Sequence, residues 1–500
     1  AKHGYIAQGR SKGLPCCFFL FVCIAGLPMP QTDAFRRFLL PALLVLLLAV
    51  WLGGGVTQDD TAIDEWLQLL ALPLLAIALA LLIAEFPEDM YRRCGMAAAL
   101  FIACVPLVQL LPLPTSSWGL PIAREALAAD LGQAGVAAFP KRWTLTPQGT
   151  ESALWSLMPA LAAFFAAMAL EAAHRRRLVQ AIVLLVVVNV AFAFFQTGLP
   201  QGSHLRLYQD FDAGFGGFLV NMNHQATACI IGMVLAVGLA AEAHGRVERG
   251  ETRPQMPWWY GGLAVCLLLM VPLSTARAGM AIALPALAAI LLLAGVLRPS
   301  RIGKSKRATA LAVLMGLVVI VGVRAALGWA AVDEAEELRH TMRVATVEAA
   351  KMQAPLGSGV GSFVPVFEQS APVSLQRGRY VNHAHNEYVQ WWLEAGWLGM
   401  FALIFALAVL ALAAWRIASL RIRSGHAALA ASGLVAICAA LAHSWADFPL
   451  RTTTLMTTVA ALAGFMLASL QDARSREKSR RRIRHELAKA ARLSHNPESH

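Results

Sequence analysis

The sequence has little charge. Only 14% of its 500 residues are Asp, Glu, Lys or Arg and 58% are hydrophobic, where a soluble domain carries about a quarter charged. That balance excludes an ordinary soluble globule and expects long apolar runs to lie in a bilayer. The runs are continuous rather than alternating, which excludes a membrane β-barrel. Metal-ligand spacing is also lacking. The eight cysteines (Cys16, Cys17, Cys23, Cys94, Cys104, Cys229, Cys266 and Cys438) lie in or beside apolar runs, so neither a structural disulfide nor a metal site is expected. No repeat of fixed period occurs. The glycine run Gly357 to Gly361 has no following Lys-Ser/Thr and no flanking strand; it is not a phosphate-binding loop, and a flexible turn is expected there. Almost no Asp, Glu or Lys lies in the middle of an apolar run. Ion-coupled carriers need such residues, or broken helices, at the membrane midplane.

What is present is an all-α polytopic membrane protein of about twelve spans. They fall near 38–54, 66–85, 95–112, 152–171, 178–197, 224–241, 257–275, 278–297, 308–328, 396–415, 427–446 and 453–470. The net charge of +12 gathers in alternate short loops and in the tail. The positive-inside rule explains this without a nucleic-acid partner and puts both termini in the cytoplasm. Five segments follow: 1–28, an N-terminal extension of doubtful function; 29–328, a bundle of spans one to nine; 329–395, a long loop on the far side; 396–471, spans ten to twelve; and 472–500, a basic cytoplasmic tail. In the long loop, Glu334 to Met352 reads as an amphipathic helix with Leu338, Met342, Ala345, Ala349 and Met352 on one face.

Polar chemistry gathers on the far side. The densest stretch is His383-Ala384-His385-Asn386-Glu387, followed by Glu394 and by Trp391, Trp392 and Trp397. Asn386 is a good N-cap type, so a helix is expected to start there. An imidazole at that position can act as a general base near neutral pH; the bland alternative is a pair of interfacial histidines beside an aromatic belt. Arg277 sits in the turn Ser274-Thr275-Ala276-Arg277-Ala278-Gly279, where the charge rule disfavours it. An anion at the membrane face would explain it through guanidinium–phosphate pairing, as would snorkelling to headgroups. Arg206 is a second candidate anion contact in the 198–223 loop, beside Asp210 and Asp212, which read better as solvated than as metal ligands. The turn His443 to Arg451 adds a histidine expected to be buried and hydrogen-bonded, and a third cation, Arg451.

Taken together, these stretches resemble the bacterial O-antigen ligase and polymerase superfamily. His385-Asn386, nine residues, then Gly396-Trp397-Leu398-Gly399 matches that family's histidine pattern; Gly357-x-Gly359-x-Gly361-x-Phe363 looks like its upstream glycine run. Ser274 to Gly279 is similar to its Ser-Arg-Gly turn, with insertions either side of Arg277, and Asn221 to His224 and His443 to Pro449 look like recurring segments. The resemblance implies a GT-C-like glycosyltransferase in the bacterial inner membrane, with the far side periplasmic and 329–395 its catalytic loop. It implies an undecaprenyl-pyrophosphate-linked glycan as donor, a glycan or lipid A-core sugar as acceptor, membrane lipids as surroundings, and no cofactor or metal. His385, Arg277 and Arg206 would be catalytic; His383, Asn386, Glu387 and Arg451 would bind substrate, with Asn386 and Glu387 also orienting the imidazole. An exopolysaccharide polymerase and a protein O-oligosaccharyltransferase share these motifs. A lipid-linked oligosaccharide flippase and a scaffold recruiting partners through its tail are the rivals of another class.

Overall fold

A computed structural model describes residues 32–56, 62–136, 140–200, 202–207, 214–297, 334–372, 381–420 and 425–494, with isolated positions 309, 313, 316, 320, 324 and 375. The N-terminal extension, Asp210, Asp212 and nearly all of the expected span 308–328 lie outside the described residues. Among those described there is no strand, only an isolated bridge between Pro112 and Arg142.

The helices follow from uninterrupted apolar runs whose backbone groups must be satisfied within the segment. They are α1 (Thr32–Gly53), α2 (Ala62–Ala84), α3 (Met90–Gln109), α4 (Ile122–Gln133), α5 (Pro147–Ser156), α6 (Met158–Ala169), α7 (Ala172–Thr197), α8 (Met222–Val247), α9 (Met256–Met270), α10 (Arg277–Leu293), α11 (Glu334–Gln353), α12 (Phe363–Ser370), α13 (Glu387–Ser419), α14 (Gly425–His443) and α15 (Thr453–Ser494). Ten helical stretches among the described residues are long and apolar enough to cross a membrane, and α10 is a shorter apolar helix. The chain is therefore a polytopic helical membrane protein. These ten stretches and α10 fall on eleven of the expected spans; the twelfth, 308–328, lies almost wholly outside the described residues.

Helices α8, α14 and the first half of α15 form the buried centre: most of each apolar window is covered by neighbours. Small residues allow this closeness, as along Ala427 to Ala431 in α14. Helix α15 has 42 residues, about 60 Å at ~1.5 Å each, twice a hydrocarbon core of ~30 Å. Its basic end continues the apolar stretch Thr453–Ser475 as one helix.

The described part of the 329–395 segment is built, not slack. Met342 and Ala349 of α11 are buried, and Leu338 and Ala345 pack beside them, whereas Met352 is exposed. The glycine run is a clasp rather than the flexible turn expected. Gly357, Gly359 and Gly361 all have positive φ (77°, 110° and 87°). Their bare backbones lie against Gly396, Thr144 and Gly149, where any Cβ would collide. The amides of Ser358 and Gly359 donate to the carbonyls of Leu393 and Glu394. Gly396 itself, at φ 60° and ψ −156°, breaks the helical path of α13. The clasp therefore fixes the kink that joins the polar start of α13 to its membrane part.

Candidate active site

Four chain segments meet at one end of the bundle: the starts of α8, α10 and α13, and the turn between α14 and α15. Asn386 caps α13 as its residue type implies, its Oδ1 accepting from Val389 N at 3.1 Å. Its Nδ2 donates to Trp445 O at 2.9 Å, so the cap also ties α13 to the α14–α15 turn. His385, just before the cap, has φ 50°, a left-handed conformation uncommon for a residue with a side chain.

His385 Nδ1 lies 3.1 Å from Asp447 Oδ1. Asp447 is almost wholly buried. Burial raises its carboxyl, but the His385 hydrogen bond and the positive charge of His224, His385 and Arg339 outweigh that and hold it below the usual carboxylate range. An ionised carboxylate only accepts, so it selects a proton on His385 Nδ1, and the neutral ring in that tautomer has its lone pair on Nε2. Asp447 is itself held by Phe448 N at 3.0 Å and Asn221 Nδ2 at 3.3 Å. Asn221 is also the N-cap of α8, through Asn223 N at 2.8 Å.

The ring of Phe448 carries three imidazoles: His383, His385 and His224, at centroid separations of 4.4, 4.8 and 5.2 Å. His383 is buried and accepts from Gln390 Nε2 at 3.2 Å. Burial, then the charges of Arg451, His385 and His224, push it well below the ordinary histidine value. It is a neutral packed ring. His443 is buried as expected and hydrogen-bonded with Thr227 Oγ1 at 2.7 Å.

The hydrogen bonds of Glu387 and Asn386 go to backbone groups around them rather than to the His385 ring. Glu387 Oε1 accepts from Leu450 N at 2.7 Å, and its own amide donates to Ser444 O at 2.9 Å. Arg451 donates to buried Glu394 at 2.8 Å, and Glu394 also accepts from Gln390 at 3.4 Å. A chain of contacts thus runs from Arg451 through Glu394 and Gln390 to His383.

Arg277 opens α10 after Thr275, which has φ 54°, and Ala276 supplies no side-chain cap. The first-turn amides of α10 therefore keep their partial positive charge. The same turn reaches the histidine group: a Cβ on Gly279 would meet Ala226 of α8 and come within 3.7 Å of His443 Cε1. Arg206 stands apart. Its Nη2 donates to Leu199 O at 2.7 Å within its own loop, and its buried Nε has no partner.

Sequence reasoning assigned no role to three residues the structure makes prominent. Asp447 lay inside the quoted turn but carries no mark of its partner 62 positions away. Arg124, buried on α4, donates to Gly357 O at 2.9 Å and Trp143 O at 2.5 Å, and burial lowers it to about 10. Gln109 bridges Glu394 O and Val360 N at 3.0 and 2.9 Å. Both brace the glycine clasp. No group of His, Cys, Asp and Glu among the described residues has the arrangement of a metal site.

The fold and site define a multi-pass helical membrane protein with a carboxylate–histidine pair at one end of its bundle. The family model described as O-Antigen ligase matches residues 262–404, a stretch holding both Arg277 and His385. That match supports the O-antigen ligase superfamily for this chain and an O-antigen ligase or polymerase type of function. No curated protein matches it.

Proposed function

We propose that the chain transfers a glycan from undecaprenyl pyrophosphate to a hydroxyl of an acceptor sugar on the periplasmic face of the inner membrane. The observation that carries this is the His385–Asp447 pair at the end of an apolar bundle, with Nδ1 turned to the carboxylate at 3.1 Å and Nε2 as the nitrogen offered to a substrate. Nε2 takes the proton of the acceptor hydroxyl. The oxygen bonds to the anomeric carbon of the donor sugar, and the bond from that carbon to the pyrophosphate breaks with its electron pair on the phosphate. Arg277 and the uncapped amides of α10 take the departing anion, since a helix N-terminus and a guanidinium both favour phosphate. Arg206 is a more distant second anion contact that would join by movement of its loop. On the acceptor side, Glu387 and Arg451 offer polar contacts, and His383 and Asn386 hold the loop that carries His385.

A flippase would need polar groups along a path through the bundle; here His224, His383 and His385 gather with Asp447 around Phe448 at one end. The test is glycan transfer by the purified protein in nanodiscs, with undecaprenyl-pyrophosphate-linked glycan as donor. Lipid A-core and unmodified donor are offered in parallel as acceptors. Modified lipid A-core identifies a ligase, and a lengthened donor identifies a polymerase. Full transfer by His385→Ala would sink the reading.

A further inference from the structure

The left-handed backbone of His385, at φ 50°, is a conformation that persists only where the surroundings hold it. Two holds flank it in the chain. After it, Asn386 caps α13 and donates to Trp445 O. Before it, the hold is Gln390, in the first turns of α13 and 1% exposed. Gln390 Oε1 accepts from Ala384 N at 3.1 Å, so the segment ahead of α13 folds back over the start of the helix it leads into.

Three contacts agree on how this amide is turned. A backbone N–H only donates, so the oxygen faces Ala384. Gln390 Nε2 then donates to His383 Nδ1 at 3.2 Å and to Glu394 Oε1 at 3.4 Å. Glu394 is anchored in turn. Its carboxylate accepts from Arg451 at 2.8 Å and from Phe363 N at 3.3 Å, and its carbonyl accepts from Gly359 N. The glycine clasp and the α14–α15 turn are thus connected, through one amide, to both residues that precede His385.

Packing alone would not call for an amide here. Ala384 is wholly buried and the His383 ring lies on Phe448. An apolar side chain of the same length would fill the space without the cost of burying an amide. It would not accept from Ala384 N, which would be left buried without a partner. The segment could then find a partner only by moving, and the strained φ of His385 is the dihedral with most to gain by relaxing. Turning about it carries the imidazole away from Asp447.

We propose that Gln390 is the positioning residue of His385: through the Ala384 amide it holds the His385 backbone left-handed and so keeps Nδ1 on Asp447. The clamp stands on this geometry; its effect on turnover rests on the transferase reading.

The experiment compares the full chain in nanodiscs with Gln390→Met, which keeps the length and removes the hydrogen bonds. Hydrogen exchange resolved to single residues by electron-transfer fragmentation reads the clamp with no substrate present. In the unaltered protein the Ala384 amide should exchange about a hundredfold more slowly than in an unstructured chain; exchange at the unstructured rate overturns the proposal without any variant. In Gln390→Met it should exchange about tenfold faster, while the Val389 amide, held by the Asn386 cap, stays within about twofold. No change at Ala384 overturns the proposal, and so does equal loosening of Val389, which means that the helix start frays as a whole. Turnover by Gln390→Met should fall about 10–100-fold with both substrate KM values within about twofold. Added to Asp447→Asn, it should cost no more than about twofold further, because both act through one imidazole. Losses that multiply would make Gln390 a packing residue. Exchange as expected, with no transfer by the unaltered protein, keeps the clamp and removes the transferase reading.

Discussion

Asp447 holds His385 by its Nδ1, at 3.1 Å, from the turn between two other helices. The pair is assembled from positions 62 apart, so its geometry depends on how α13 and α14 pack. Asp447→Asn keeps the shape but offers an amide N–H or a weaker acceptor to Nδ1, and the imidazole loses its bias toward a free Nε2. Transfer is expected to fall by about 10²–10⁴-fold in turnover with little change in substrate KM. Steady-state kinetics beside a thermal melt decides it; an active Asn variant means that another group sets the tautomer.

His383 makes acid the weak side of the protein. Its folded value lies well below the ordinary histidine value because burial disfavours the imidazolium, as do Arg451, His385 and His224 nearby, with Asp447 opposing them. The unfolded chain therefore binds its proton first. The stability this ring contributes is complete above about pH 6.5 and is lost progressively as pH falls below it. Asp447, also depressed, adds a second loss below about pH 4. Melting temperature against pH should fall on the acid side, and His383→Gln should remove the first part of that fall. A Gln variant with the same acid profile would exclude His383 as its source.

Arg451 and Glu394 test whether a buried ion pair fixes the site. Glu394 is 1% exposed in its side chain, and Arg451 is its cationic partner at 2.8 Å. Arg451→Ala strands a buried carboxylate, at a cost of about 3–5 kcal/mol. Replacing both, as Arg451→Met with Glu394→Leu, removes the stranded charge and should recover most of that stability. Chemical denaturation in detergent measures all three proteins. Equal losses in the single and double variants would mean that packing, not charge, is what the pair supplies.

Much of this could be read from the residues, for identifiable reasons. Apolar runs of membrane length are local, so the helices and their alternating charge were legible. Asn386 as a cap was legible because capping depends on a residue and its next three neighbours. The Asp447–His385 and Arg451–Glu394 pairs were not, because nothing local in either partner encodes a contact between segments so distant in sequence. The glycine run was misread as flexible for the same reason: its partners are Thr144, Gly149 and Gly396, and only the assembled fold shows that the missing side chains make room for backbone. Arg124 and Gln109 stayed hidden because a single polar residue at a helix end is common, and burial alone reveals its work.

Gly396 is where fold and chemistry join, and it gives the last prediction. Its φ of 60° with ψ −156° breaks α13 nine residues after the helix begins, and the Leu356–Gly357 backbone occupies the space a Cβ would need. Gly396→Ala must either hold a conformation costly for any L side chain, at about 1–3 kcal/mol, or straighten the helix. Straightening would pull Glu394 from the Gly359 amide that its carbonyl accepts at 2.8 Å. It would then disturb Arg451 and the His385 loop together. The expected result is a folded but less stable protein with transfer reduced more than stability. Gly399→Ala is the comparison: it lies one turn on, has no positive φ, and meets chiefly the Ala395 and Trp391 side chains. If transfer by Gly396→Ala fell no further than by Gly399→Ala at matched stability, the kink would be a packing feature without a part in placing the base.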